Sequence, residues 1–370
     1  MILLNDFKRQ WEDIKRAAIA VFSTVGESGW YVLGQEVRQF ETALAGYWGL
    51  PHAVGVASGL DAIEIALKAL GCKAGDRVLT TPLSAFATTL AIIKLGAIPV
   101  FVDTDDFGLI DLELCRLALR ARPDIRFVVP VHLYGHALNM QALRMLREEF
   151  DCRIVEDCAQ SIGSSHNGIM SGCAGHMAAT SFYPTKNLGA IGDGGAILTA
   201  DEPLARSARV MRDYGQTEKY RHDIVGYNSR LDELQASLLH RVALAKLECW
   251  LDARRMVAQK YLAEIINPAI QVVGAPTASN SCWHLFPVLV EPARKRELMA
   301  WLGSHGVACG EHYPVPIPEQ RALAGCPFEV VGGLRTAYRI CSSEVSLPIH
   351  PYLRAEETSR VIDACNSWKR

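Results

Sequence analysis

Several things are missing from this chain, and each absence removes a class of protein. Its 11 cysteines contain no Cys-x-x-Cys pair, so the spacing of a zinc or dithiol site is absent and no metal site is expected. No uninterrupted apolar run reaches the 18 or so residues of a membrane span, and charges follow the first few apolar residues of MILLNDFKRQWEDIKRA. No membrane partner and a cytoplasmic location are therefore expected. An excess of one charge is lacking too: 38 Lys+Arg oppose 40 Asp+Glu, a formal net charge of −2, which offers nucleic acid no electrostatic footprint. No internal repeat indicates a solenoid. What remains, 370 residues with 49% hydrophobic content, can bury a sizeable core in two or three domains. The cysteines, Cys152 and Cys158 being the nearest pair, read as small packed hydrophobes with reduced thiols.

Short β-branched runs alternate with helical patterns: HAVGVAS then GLDAIEIALKALG, DRVLTTP then FATTLAIIKLG, IPVFVDT then LELCRLALRAR, RFVVPVHLYG then MQALRMLREEF. This rhythm predicts βαβ units, and so an α/β fold with a mostly parallel sheet buried on both faces and ligands at the carboxyl ends of its strands. A long helical pattern from Leu231 to Ile266 is closed by Asn267-Pro268. Beyond it, SCWHLFPVLV reads as a strand, ARKRELMAWLGSHG as a helix and SSEVSLPIHPYL as an extended segment. The expected division is a large α/β domain over 1–245 and a smaller C-terminal α+β domain over 246–370.

The chemistry concentrates in IVEDCAQSIGSSHNGIMSGCAGHMAATSFYPTKNLGAIGDGGA, where Asp157 ends an apolar run and Lys186 follows. Neither the glycine spacing of a phosphate-binding P-loop nor that of a dinucleotide site is present, and Gly192, Gly194 and Gly195 read as tight-turn residues. Alternation along the strand sends Glu156 to the side opposite Asp157. A lysine and a carboxylate are also what a Schiff base to pyridoxal phosphate needs, the carboxylate keeping the ring nitrogen protonated. A solvated lysine and a strand-end cap explain the same residues. Ser58-Gly59 before a helix offers a phosphate site and equally an ordinary cap. Ser181 is a second phosphate donor, and Phe86 is either a ring-stacking residue or core.

Taken together, SGLDAIEIAL, TPLSAFATTLAI, PVHLYGH, VEDCAQSIG, SFYPTKNLGAIGDGGA, GYNSRLDELQA, CWHLFPV, GEHYPVP and SSEVSLPIHPYL, in this order, resemble the DegT/DnrJ/EryC1/StrS family of pyridoxal-phosphate-dependent sugar aminotransferases. The resemblance implies a fold-type I architecture, seven-stranded in its large domain. It implies a cofactor cycling between pyridoxal 5'-phosphate and pyridoxamine 5'-phosphate. Lys186 resembles the Schiff-base lysine, Asp157 the partner of the ring nitrogen and Gln160 the neighbour of the ring hydroxyl. Phe86 corresponds to the stacking residue; Ser58, Gly59, the backbone of Leu60 and Ser181 correspond to the phosphate site, which Asn228 reaches from the second subunit of a homodimer. Tyr183, Arg230, His312 and Tyr313 resemble residues near the sugar. Leu60 departs from the threonine, and Pro318 from the histidine, found in many relatives. A dehydratase branch carries histidine in place of the lysine, so Lys186 implies transamination, with glutamate as donor and a nucleotide-linked keto sugar as acceptor. The segment YGQTEKYRHDIVGYNSRLDELQ is similar to a loop of 3-aminotransferases of dTDP-linked 6-deoxyhexoses. C4 amination, a cyclitol or an aminodehydroquinate-type product, and a non-catalytic regulatory role are the alternatives.

Overall fold

The computed structural model describes residues 1–369. Helices α1 (Phe7–Ser28) and α2 (Gln35–Trp48) lead to β1 (His52–Val56). The alternation follows with α3 (Gly59–Ala69), β2 (Arg77–Thr80), α4 (Phe86–Lys94), β3 (Ile98–Phe101), α5 (Leu112–Ala121), β4 (Ile125–Val129), α6 (Met140–Phe150) and β5 (Arg153–Asp157). A short hairpin of β6 (Ser165–His166) and β7 (Ile169–Met170) precedes β8 (Met177–Ser181), β9 (Gly195–Thr199) and α7 (Glu202–Arg212). Then come β10 (Gln216–Glu218), β11 (Arg221–His222), α8 (Glu233–Leu238) and α9 (Leu244–Glu264). The remainder holds β12 (Gln271–Val272), β13 (Ser279–Asn280), β14 (Phe286–Leu289), α10 (Lys295–Ser304), β15 (Glu329–Val330), α11 (Arg335–Ser343), β16 (Glu344–Leu347) and α12 (Ala355–Ser367). The side chains of Asp6, Ser58, Asp111, Asn139, Asp201 and Asp232 cap α1, α3, α5, α6, α7 and α8, each worth about 1 kcal/mol.

The main sheet runs β1-β9-β8-β5-β4-β2-β3-β15. Pairings from β8 to β15 are parallel, and those of β9 with β1 and β8 are antiparallel. The α/β expectation holds: residues 1–245 supply the seven expected strands, and an eighth joins their edge. Strand β15, from the C-terminal region, is drawn to the edge because the Glu329 carboxylate accepts from Arg77 Nε at 2.8 Å and Arg122 Nη1 at 2.9 Å.

Strand alternation places the core on both faces. Val78, Phe127, Val129, Val155, Met177, Ala179 and Ile197 face one side, packed with α3, α4 and α7. Their neighbours Leu79, Val128 and Ile154 face the other side, as do Ala178, Ala196 and Leu198. A second, antiparallel sheet, β12-β14-β16, packs with α9, α10 and α12 around Tyr261, Phe286, Val288, Leu302, Val345 and Val361.

Two expected elements differ in detail. The long helix is broken by a π-helical turn over Leu239–Ala243; the wider turn rotates the faces of α8 and α9 relative to one another, and no residue type marks it. The strand expected from SCWHLFPVLV narrows to β14, because Cys282 N donates to Gly135 O at 3.1 Å and Trp283 takes a positive φ of 48°. All 11 cysteines are free, most of them buried; burial pushes the Cys72 thiol up to about 12.

Glu156 and Asp157 close β5 on opposite faces. Glu156 is fully buried and accepts from His132 Nε2 (2.8 Å) and from the backbone N–H groups of Gly172 (2.8 Å), Ala174 (2.8 Å) and Gly175 (2.6 Å). Burial pushes its proton affinity up, but the bonds from His132, Gly175 and Gly172 outweigh it and hold the carboxyl below its ordinary range. His132 Nδ1 accepts from Leu138 N at 3.1 Å, so both ring nitrogens are spent within the protein. The cluster of His132, Glu156 and Cys158 thus has no imidazole lone pair to offer a metal. Replacing Glu156 by Ala leaves four donors without an acceptor and is expected to cost about 3 to 5 kcal/mol. Urea denaturation measures this, and a loss below about 1 kcal/mol would show that the cluster does not anchor β5.

Candidate active site

The site assembles at the carboxyl ends of the parallel strands. Asp157, 4% exposed at the end of β5, accepts from Thr88 Oγ1 at 2.8 Å and from Ala159 N at 3.0 Å. Since Thr88 donates to the carboxylate, its oxygen accepts the 3.0 Å bond from Ser84. Lys186 lies in the turn after β8, its N–H donating to Tyr183 O at 2.8 Å. Burial lowers its amine to about 8, while the Asp157 carboxylate pulls the other way. The result is an amine that loses its proton closer to neutral pH than an ordinary lysine does, beside a carboxylate held by two donors.

An anion cradle lies nearby. Ser58 caps α3 by accepting from Asp61 N at 3.1 Å, which leaves its hydroxyl proton free to donate at the helix N-terminus. A Cβ on Gly59 would stand 2.7 Å from Ser181 Cβ, and one on Gly195 would stand 2.4 Å from the backbone carbon of Ser58. The three glycines expected to serve tight turns after Lys186 take no positive φ, so the left-handed freedom of glycine is not what they supply. They permit close approach: a Cβ on Gly194 would lie 3.0 Å from Leu231, and one on Gly192 3.2 Å from Gln235. Leu60 turns into the core around α3.

Gln160 Oε1 accepts from Tyr134 N at 2.8 Å, and its Nε2 donates to Tyr313 Oη at 3.2 Å. Tyr134 Oη donates to His312 O at 2.7 Å, so Gln160, Tyr313 and His312 form one wall. The sequence reading missed its supports. Asn187 Oδ1 faces His284 Nδ1 at 3.2 Å, and Asn187 Nδ2 donates to Cys282 O at 3.0 Å, fixing the chain next to Lys186. Burial and the Lys186 charge hold His284 well below the ordinary histidine range and lower His312 to about 4. Thr88 carried a signal, since it lies in the first turn of a helix that follows a strand. His284 and Asn187 carried none.

The remaining candidates lie at the margin. Phe86 opens α4 and packs partly on Phe101, Ile317 and Leu334, beside the short turn that contains Pro318. Tyr183 is 52% exposed. Asn228 is exposed, and its Oδ1 accepts from Arg230 Nη2 at 2.7 Å. Arg230 also pairs with Asp213 at 2.9 Å and lies over the Tyr214 ring. Its guanidinium is thus engaged by its own loop.

Acylation of Lys186 in cofactor-free protein, followed by peptide mass spectrometry across pH, is expected to rise through about pH 8. In Asp157→Asn the midpoint moves lower, because the charge that favours the ammonium is gone. A midpoint in the ordinary lysine range near 10.4 would contradict this picture.

Comparison with known proteins agrees with the geometry. The chain is 41% identical over 366 residues to a dTDP-3-amino-3,4,6-trideoxy-alpha-D-glucose transaminase of Streptomyces venezuelae, covering 98% of this chain and 95% of that one. It is 36% identical to a pleiotropic regulatory protein of Geobacillus stearothermophilus, with 99% and 98% coverage. Among solved structures, S. venezuelae DesV in complex with a ketimine intermediate superposes with a TM-score of 0.94 at 40% identity, over 99% of this chain and 98% of that one. NtdA of Bacillus subtilis with bound cofactor PMP gives 0.87 at 28% identity, covering 95% and 81%. The DegT/DnrJ/EryC1/StrS aminotransferase family matches residues 12–366, and with this fold-type I architecture the chain is an enzyme that belongs to that family.

Proposed function

We propose that this aminotransferase uses pyridoxal 5'-phosphate to move an amino group from glutamate to a nucleotide-linked keto sugar, a dTDP-3-keto-6-deoxyhexose. The observation that carries the acceptor is the ranking of named relatives. Three transaminases named for dTDP-3-amino sugars share 41%, 38% and 37% identity with the chain. Two aminotransferases named for UDP sugars share 34% and 35%.

The residues fit the cofactor. Ser58, Ser181 and the N-terminus of α3, with Gly59 and Gly195 leaving no side chain in the way, suit a phosphate. The Asp157 carboxylate suits a protonated ring nitrogen, and Phe86 and Gln160 suit the ring face and the ring hydroxyl. The bound cofactor supplies an electron sink for the carbon that loses its proton. Lys186 would anchor the cofactor and, once its amine is free, would take the proton that the α-carbon of glutamate loses, its own proton affinity being lowered to about 8 by burial. Thr88 and Ala159 hold the Asp157 carboxylate in place for the ring nitrogen. In the second half-reaction the same lysine returns a proton while Tyr183, Arg230, His312 and Tyr313 border the sugar. Glutamate and the sugar thus react in alternation, which is ping-pong kinetics.

We place the enzyme in the cytoplasm as a homodimer, with Asn228 of one chain reaching the phosphate of the other. A groove of about 380 Å³ beside the lysine loop, lined by Phe7, Trp11, Ile14, Pro184 and Ile191, supports a partner surface. So do the exposed Trp30, Tyr31 and Val225. Among the described residues no helix is long and apolar enough to cross a membrane.

Purified protein with pyridoxal phosphate is expected to show a visible band that glutamate bleaches, and borohydride is expected to leave a pyridoxyl group on the Lys186 peptide. Lys186→Ala should lose about 10⁴-fold or more in turnover. Substantial transamination by that variant would sink the assignment. Turnover of a UDP-linked or cyclitol ketone in preference to the dTDP-linked 3-keto sugar would replace the acceptor while keeping the reaction class.

A further inference from the structure

We propose that Glu344 and Ser346 are positioning residues that hold His312 as the Nδ1–H tautomer, presenting its bare Nε2 to a hydroxyl of the acceptor. The role toward the acceptor rests on the function proposed above; the tautomer assignment does not. Backbone pairing between Gly310 and Ser346 brings the His312 loop against β16. Glu344 and Ser346 are both fully buried there. Glu344 Oε2 accepts from the backbone N–H of His312 at 2.6 Å, and its other oxygen, Oε1, accepts from Ser346 Oγ. A serine hydroxyl has one proton. With that proton committed to Glu344, Ser346 Oγ is an acceptor toward His312 Nδ1, 2.8 Å away. Nδ1 must therefore carry the imidazole proton.

The other nitrogen is left as a lone pair. Nε2 has no protein partner among the described residues and is not sealed in the interior. The ring stays neutral in this setting because burial and the Lys186 charge both disfavour its cationic form. A bare imidazole nitrogen accepts from a hydroxyl and repels a carbonyl oxygen, so the chain from Glu344 to Nε2 selects what the substrate presents there.

The two oxygens of Glu344 make the arrangement testable by an isosteric change. In Glu344→Gln, the amide oxygen must stay on the side of the His312 N–H, since an NH₂ group there would set donor against donor. The NH₂ group then faces Ser346, whose hydroxyl must accept from it and donate instead to His312 Nδ1. The substitution inverts the chain and moves the imidazole proton to Nε2.

Nitrogen NMR of histidine-labelled holoenzyme reads this directly, with the His312 signals identified by their loss in His312→Asn. Measured at pH 8, above the value of about 7 to which burial pushes Glu344, the parent protein is expected to show a protonated, pyrrole-type Nδ1 and a pyridine-type Nε2. Glu344→Gln is expected to show the reverse. It should also lose about tenfold in kcat/KM for the acceptor, the value of one hydrogen bond, while the glutamate half-reaction stays within about twofold. An unchanged tautomer in folded Glu344→Gln overturns the proposal, as does an inverted tautomer with unchanged acceptor kinetics. If Glu344→Gln gives no folded holoenzyme, Ser346→Ala decides. There the pure Nδ1–H signature should give way to a mixture, and Ser346→Thr should restore it; a pure signature in Ser346→Ala overturns the proposal. Failure of glutamate to bleach the parent holoenzyme would sink the function instead and leave the tautomer result intact.

Discussion

The structure depends on the two-residue period of one strand end. Glu156 and Asp157 are adjacent acids at the close of β5, and the pleat sends them to opposite sides of the sheet. Glu156 is spent on structure, tying β5 to His132 and to the loop at 172–175. Asp157 faces Thr88 and the lysine loop. A slip of one residue in the register of β5 would exchange the two and leave the anchor and the site each with the wrong acid.

The rest of the site follows from close approach and low polarity. Gly59 and Gly195 let two chain segments come within a distance that any side chain would forbid, and so build an anion cradle from backbone and serine hydroxyls. Burial then sets the titrations: it weakens the hold of Lys186 on its proton and keeps His284 and His312 neutral. One physical cause makes the amine reactive and leaves the imidazoles as hydrogen-bonding groups.

Much of this was legible in the sequence. The alternation of β-branched runs with amphipathic helices gave the α/β layers, Ser58 marked a helix start, and IVED exposed the split between Glu156 and Asp157. The missed features depend on contacts distant along the chain. Strand β15 exists because Arg77 and Arg122 converge on Glu329, and no local pattern announces a two-residue strand. The π-helical turn answers packing on both sides of one helix. Gly195 looked like a turn because the neighbour that excludes its Cβ, Ser58, lies far away in sequence. His284 and Asn187 are ordinary residues until the fold brings them together beside Lys186.

Strand β15 has a mechanical consequence. Besides many single hydrogen bonds, the chain beyond α9 is joined to the layers before it by paired strands at two separate places, through β15 on β3 and through β13 on β6. A body held by one connection can swing as on a hinge, whereas a body held at two separated pins loses that rotation. The pairing thereby resists the opening of one half of the molecule against the other.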